Sequence, residues 1–266
     1  MGFSGAVRNE MLDWWIGNPP SGYLPPTEWY VALVRTDDSE VVGGGYMRLQ
    51  TDTDDWVGIG GGEVTNISDL TWVVPTADWG TVHKVKLYDQ LIGGTELAEG
   101  DLTTPVAIFS GGTTPEITAG NFSIQLTGGF NEDIRDEMLD WWFGNPQSGY
   151  IPPEDFYVTL VKTNGEEVPE ESGNNYARVH TDACDWGSGG VAPSPEDGTI
   201  VNVFPITFPA PTAGWGDVNK VRLLDQAYPT SGEIILAEGD IIETYTVTGG
   251  GVTPEFIEGA FKIKLL

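Results

Sequence analysis

Met11-Leu12-Asp13-Trp14-Trp15 returns as Met138-Leu139-Asp140-Trp141-Trp142, an offset of 127 residues. Self-similarity at a long fixed period marks a duplicated structural unit, and it has to be recognised before any element is assigned. The same offset carries Gly17-Asn18-Pro19 onto Gly144-Asn145-Pro146 and Tyr30-Val31 onto Tyr157-Val158. Further along, loop insertions lengthen it. Tyr46 and Arg48 match Tyr176 and Arg178, and Asp52, Asp55 and Trp56 match Asp182, Asp185 and Trp186. Trp79-Gly80 and Asp89-Gln90 match Trp215-Gly216 and Asp225-Gln226, and Leu97-Ala98-Glu99-Gly100-Asp101 returns as Leu236-Ala237-Glu238-Gly239-Asp240. The joint falls at Thr127-Gly128-Gly129, which divides the chain into residues 1–127 and 128–266, each expected to fold alone. So short a linker cannot let the two units wander, so they are expected to sit against each other.

Each unit opens with apolar residues at helical spacing: Phe3, Val7, Met11 and Trp14/Trp15, then Phe130, Ile134, Met138 and Trp141/Trp142. Ser4 and Asn131 are candidate N-caps, and Gly17-Asn18-Pro19 is the stop signal. Beyond the helix the period changes to two. Trp29, Val31 and Leu33 alternate with Tyr30, Ala32 and Val34, and Phe122, Ile124 and Leu126 share one face. The 36 Gly and 18 Pro supply frequent turns. This pattern predicts a mainly β protein: two tandem antiparallel β-sandwich (or barrel-like) domains, each preceded by a short amphipathic helix. The helix is expected to cover an open end or edge of its sandwich.

Forty acidic residues against twelve basic ones give a net charge of −28. Such a surface repels phosphate backbones and anionic membranes, so neither nucleic acid nor membrane is an expected partner. A basic partner, or one bridged by divalent cations, fits. One cysteine, Cys184, excludes an intrachain disulfide, and with two histidines it makes structural zinc an unlikely design. No signal-peptide pattern and no long apolar run is visible, so folding in a cytoplasm is expected.

The duplication also tests chemical candidates, because a site built into the unit should occur twice. His83 stands opposite Asn219, His180 opposite Gln50, and Cys184 opposite Asp54, so no nucleophile–histidine arrangement is repeated. Asp89 and Asp225 follow an apolar strand in both copies, where a turn cap or a partner for Arg48 and Arg178 is the bland alternative to catalysis. Asp52-Thr53-Asp54-Asp55 lacks the glycine and closing glutamate of a calcium loop. Trp79 and Trp215 are expected to plug the sandwich. Neighbouring helix positions point about 100° apart, so Trp14 and Trp15, like Trp141 and Trp142, cannot share one core direction. Either one ring of each pair is core and the other covers a sheet edge, or one lies at a partner contact, where tryptophan is enriched. These four residues are therefore the candidate contact site. No catalytic residue, cofactor or metal ligand is expected.

Leu12-Asp13-Trp14 closing a helix, Tyr30-Val31-Ala32-Leu33, Gly44-Gly45-Tyr46-Met47-Arg48, Trp79-Gly80-Thr81-Val82, Tyr88-Asp89 and the ending Ala119-Gly120-Asn121-Phe122-Ser123-Ile124 follow in a fixed order. This order resembles small virion structural or tail-fibre proteins of tailed bacteriophages, over nearly all of each copy. The chain departs from the family pattern in having Asp89-Gln90 and Asp225-Gln226 where Asp-Ala is usual, and in being duplicated. The resemblance implies a non-enzymatic component of a phage particle, at the tail, a fibre-attachment point or the capsid surface, contacting other virion proteins. It implies localisation in the virion after assembly in the host cytoplasm. Duplication further suggests a homo-oligomer of three chains or a multiple of three, which would present six similar domains. The alternative is a tandem carbohydrate-binding module, which needs flat aromatic faces in solvent.

Overall fold

The computed structural model describes residues 2–15, 25–143, 152–170, 173–186 and 198–266. The proposed helix stop Gly17-Asn18-Pro19 and its match Gly144-Asn145-Pro146 lie outside them. Repeat one consists of β1 (Gly2–Phe3), α1 (Gly5–Trp15), β2 (Glu28–Arg35), β3 (Leu49–Asp52), β4 (Trp56–Gly58), β5 (Glu63–Asn66), β6 (Leu70–Thr71), β7 (Gly80–Tyr88), β8 (Glu96–Ile108), β9 (Glu116–Ile117) and β10 (Ser123–Gln125). Repeat two consists of α2 (Glu132–Trp142), β11 (Asp155–Lys162), β12 (Val179–Asp182), β13 (Thr199–Val201), β14 (Ile206–Thr207), β15 (Gly216–Leu224), β16 (Ile235–Val247), β17 (Glu255–Phe256) and β18 (Lys262–Lys264).

Every strand pairing is antiparallel. In repeat one a large sheet runs β1-β8-β7-β2-β3, and a smaller one runs β10-β5-β4 with the β6-β9 ribbon prolonging it. Repeat two repeats this with β12-β11-β15-β16 and the ribbons β13-β18 and β14-β17. Among the described residues the sheets keep free edges and close no barrel, so of the two expected architectures the sandwich is the one formed.

The two sheets of a repeat join at one corner. There β3 leads through a tight turn, Thr53–Asp55, into β4, and Asp52 and Asp55 cap each other's backbone N–H groups. Asp182 and Asp185 do the same around Ala183–Asp185. The acidic run that superficially suggests calcium is thus a reciprocal cap, which uses the carboxylates locally. Trp56 and Trp186 are buried beneath these corners and donate their indole N–H groups to Thr51 and Thr181.

Trp79 and Trp215 are buried, as expected, and each donates its indole N–H to a loop carbonyl, Gly44 at 3.1 Å and Asn174 at 2.9 Å. Tyr46 and Tyr176 meet these rings edge-on. Their phenol oxygens accept the N–H groups of Leu33 and Leu160.

Asn131 caps α2 by accepting from Asp133 N–H, and the Ser4 hydroxyl accepts from Val7 N–H at 3.4 Å. Each helix packs on the small sheet of the other repeat. α1 lies against β13, and α2 lies against β4 and β5. The buried apolar side chains of both repeats consequently form one continuous cluster.

Candidate functional site

Two features occur in both repeats and are built by many residues: the junction between the repeats and an open seam along each sandwich.

The junction is reciprocal. Asn9 of α1 accepts the Gly198 N–H at 2.8 Å, and Asp136 of α2 accepts the Gly62 N–H at 2.6 Å. Gly62 and Gly198 both have positive φ, +72° and +70°, and face the side chains of Arg135 and Arg8. A β-carbon at Gly62 would come within 2.7 Å of Arg135 Nε, and one at Gly198 within 2.6 Å of Arg8 Nε. Glycine is required there by backbone conformation and by the close approach of the opposite helix. Phe3 meets Trp142 at 6.4 Å and Phe130 meets Trp15 at 6.3 Å, each edge-on. Thr127 and Leu266 exchange both backbone hydrogen bonds, which lays the inter-repeat joint beside the end of the chain. Contacts that hold with the two repeats exchanged define an approximate twofold axis.

The four candidate contact tryptophans all lie at this axis. Trp15 and Trp142 are fully buried. Trp14 and Trp141, half-buried, stack on each other with ring centroids 4.7 Å apart and planes 10° from parallel. The partner these rings meet is thus, in the first place, the other half of their own chain. Burial, followed by repulsion from Asp13, raises the Glu10 carboxyl on α1 above its ordinary range; burial, Asp140 and two further carboxylates do the same to Glu137 on α2.

The seam lies between the far edges of the two sheets. Along its first half β1 fills it: Gly2 and Phe3 pair with Glu99 and Ala98 of β8, and β1 touches β10. In repeat two, Phe130 bridges to Ala237 of β16, and Asn131 N–H donates to Leu236 C=O. Along its second half, residues 102–108 and 241–247, no strand lies on the outer side among the described residues. There each sandwich opens into a cleft, of about 540 Å³ in repeat one and 440 Å³ in repeat two. Leu33, Val82, Leu102 and Ile117 line the first, and the matching Leu160, Val218, Ile241 and Phe256 line the second. Each has one carboxylate at its lip, Glu116 and Glu255. Trp72, in the first cleft wall, has a buried indole N–H without a hydrogen-bond partner among the described residues. Phe208 takes its place in repeat two and has no such donor to satisfy.

The remaining chemical candidates have structural partners. Asp89 and Asp225 accept the N–H groups of Thr95 and Ile234, the turn-cap alternative, while Arg48 and Arg178 go elsewhere. Arg48 grips Glu40 with two nitrogens and donates to the carbonyls of Gln90 and Gly93. Arg178 grips Glu167 in the same way, donates to the Gln226 carbonyl, and adds Glu233 at 2.5 Å. Burial opposes the charge on both guanidiniums, yet the bonds from these carboxylates outweigh it and raise both above the ordinary arginine range. His180 meets Asp155 at the surface and His83 lies 3.7 Å from Asp38; neither lines a cleft. Cys184 is exposed. Sequence reasoning missed the seam, although its signal was present in the repeated Gly112-Thr113-Thr114-Pro115-Glu116 and Gly251-Val252-Thr253-Pro254-Glu255.

No curated protein matches the chain. A family model described as Podophage GP4 fiber I protein gp80 matches it twice, over residues 2–125 and 130–264. The two matched segments coincide with the two repeats and together cover nearly the whole chain, so the protein belongs to this phage fibre family, as a tandem duplication of its unit, and is a structural component of the virion.

Proposed function

We propose that the chain acts without catalysis, as a rigid two-headed contact block that joins other proteins of the phage particle. The observation that carries this is the reciprocal helix exchange: each repeat completes the core of the other, so two sandwiches are held in one fixed relation. Rigid placement of two surfaces is what a joint in a fibre needs, because ordering costs are then met within the chain and not at assembly. The clefts support the same function, since they gather apolar side chains and one carboxylate each, a lining suited to packing.

We place the protein at the tail or a fibre attachment, assembled with other virion proteins as a homo-oligomer of three chains or a multiple of three. An internal twofold axis changes how such a trimer would look. Where that axis lies across the trimer axis, the six repeats face alternately in opposite directions; only where it runs along the trimer axis do they form a ring of like-oriented domains. A pair of glycan-binding modules is less well supported. Eight of the ten tryptophans are buried and the other two stack on each other, so no tryptophan offers a free platform, and among the described residues the most exposed tyrosines, Tyr228 and Tyr245, lie in repeat two alone.

Reconstruction of whole virions tests this. Density for the chain at a joint between other proteins, in multiples of three, is expected. Copies in twos or fives around the axis would remove the trimer, and density at a distal tip with both repeats free of protein neighbours would favour glycan recognition.

A further inference from the structure

We propose that the open seam of repeat two receives an extended strand from another protein, one that alternates apolar and basic residues. The proposal rests on the contact-building function above and names the surface and the partner chemistry. The seam already works this way inside the chain. Phe130 adds to the outer edge of β16 at Ala237, as β1 adds to β8. Beyond Phe130 the chain turns away, because Gly128 and Gly129 pair with Leu265 and Lys264 instead. The seam is therefore filled by strand addition for half its length and continues open for the rest. An unpaired edge beside an apolar cleft is the geometry in which main-chain hydrogen bonds give affinity and alternate side chains give specificity.

The register of β16 shows where such a strand would lie. Pairing with β15 runs to Asp240, jumps, and resumes at Tyr245, so residues 241–244 swing out from their neighbour. Bulges of this kind re-aim side chains next to binding sites. Here Ile241 and Tyr245 line the cleft, while Ile242 is fully exposed. In repeat one the equivalent of Thr244 is Pro105, which has no N–H to offer. Repeat two keeps the donor, and is therefore the repeat we assign.

Charge selects the partner. Residues 223–261 contain seven acidic residues and neither lysine nor arginine, and the two lysines that follow, Lys262 and Lys264 on β18, do not line the cleft. Glu243 on the swung-out segment and Glu255 at the cleft lip make no ion pair among the described residues. The basic side chains of the adjoining sheet, Lys220 and Arg222, are both held by Glu238. A second copy of this chain, with its own charge of −28, is electrostatically the wrong occupant, and a strand with lysine or arginine on its outer side is the right one.

The test uses the full chain and a capped peptide of alternating valine and lysine, followed by titration and by backbone hydrogen exchange. Binding should protect residues 241–247. It should weaken by about tenfold or more in Thr244→Pro, because one edge donor is lost. The variant is expected to fold, since Pro105 occupies the same place in repeat one. The same peptide N-methylated along one edge gives a second control on the unaltered protein and should also bind about tenfold more weakly. Equal binding of the methylated peptide, or protection elsewhere, would mean attraction by charge alone and would overturn the proposal. A concentration-dependent dimer that protects 241–247 without peptide would overturn it in favour of a second copy. Neither result would touch the assignment to the virion, which is read from the particle and not from this binding.

Discussion

The two repeats solve one packing problem with different charges. Arg48 and Arg178 occupy the same place and both tie a loop carbonyl, Gln90 or Gln226, to the strand hairpin. Arg48 faces one carboxylate and lies 3.6 Å over the Tyr88 ring. Arg178 faces two carboxylates, Glu167 and Glu233, and its side chain is 1% exposed against 7% for Arg48. The second copy buries its arginine further and meets an additional carboxylate, from a residue 55 positions away. The same divergence separates the seams, where Pro105 corresponds to Thr244 and Trp72 to Phe208. The backbone plan is conserved between the halves, while the loops and edges that meet solvent differ.

The severest way to break the comparison is to separate the halves. Each of 1–127 and 128–266 carries its own sheets, so each is expected to unfold cooperatively when expressed alone. Each also loses the opposite helix, so both should melt well below the intact chain and bind each other on mixing. Thermal unfolding and native mass spectrometry read both effects. If neither half unfolds cooperatively, the repeats share one indivisible core.

Next come the matched plugs. Trp79→Ala and Trp215→Ala should each cost roughly 3–5 kcal/mol in denaturant unfolding, the usual range for removing a large buried ring. A loss below about 1 kcal/mol at either would place that ring at the surface. The arginines should then split the repeats apart. Arg178→Ala leaves two carboxylates facing each other in a largely buried site and should cost about 2–4 kcal/mol. Arg48→Ala leaves one, and about 1–2 kcal/mol is expected. Equal losses would show that Glu233 adds nothing.

The smallest effect concerns Glu10 and Glu137 at the junction. Their carboxyls are raised in the folded chain, first by burial and then by neighbouring acids. A raised carboxyl favours folding below its unfolded pKa, and that contribution is lost as pH climbs through the folded value. Glu10→Gln and Glu137→Gln should therefore raise the unfolding temperature at neutral pH. As pH falls below the raised folded values the gain should shrink. A gain independent of pH would assign the effect to packing instead.

Much of this architecture is legible in the chain because it is local or repeated. Helical spacing from Val7 to Trp15 gives α1, although Phe3, read into the same helix, pairs in β1 instead; period-two alternation gives β2, and the Leu97 to Asp101 match gives the equivalence of β8 and β16. The caps at Asn131, Asp89 and Asp225 follow from short-range side-chain chemistry. The tryptophan pairs flag a contact, since two rings 100° apart need two surroundings. Tertiary structure alone decided what those surroundings are. Two copies of one sequence present two nearly equivalent small sheets to each helix, and residue periodicity cannot choose between them. The choice falls to the opposite copy because there Asn9 and Asp136 reach Gly198 and Gly62, and Trp14 can lie flat on Trp141. The seam is hidden from sequence for a related reason. An open edge depends on which strand fails to arrive beside β16, and that is fixed by the turn of Gly128 and Gly129 toward the distant end of the chain.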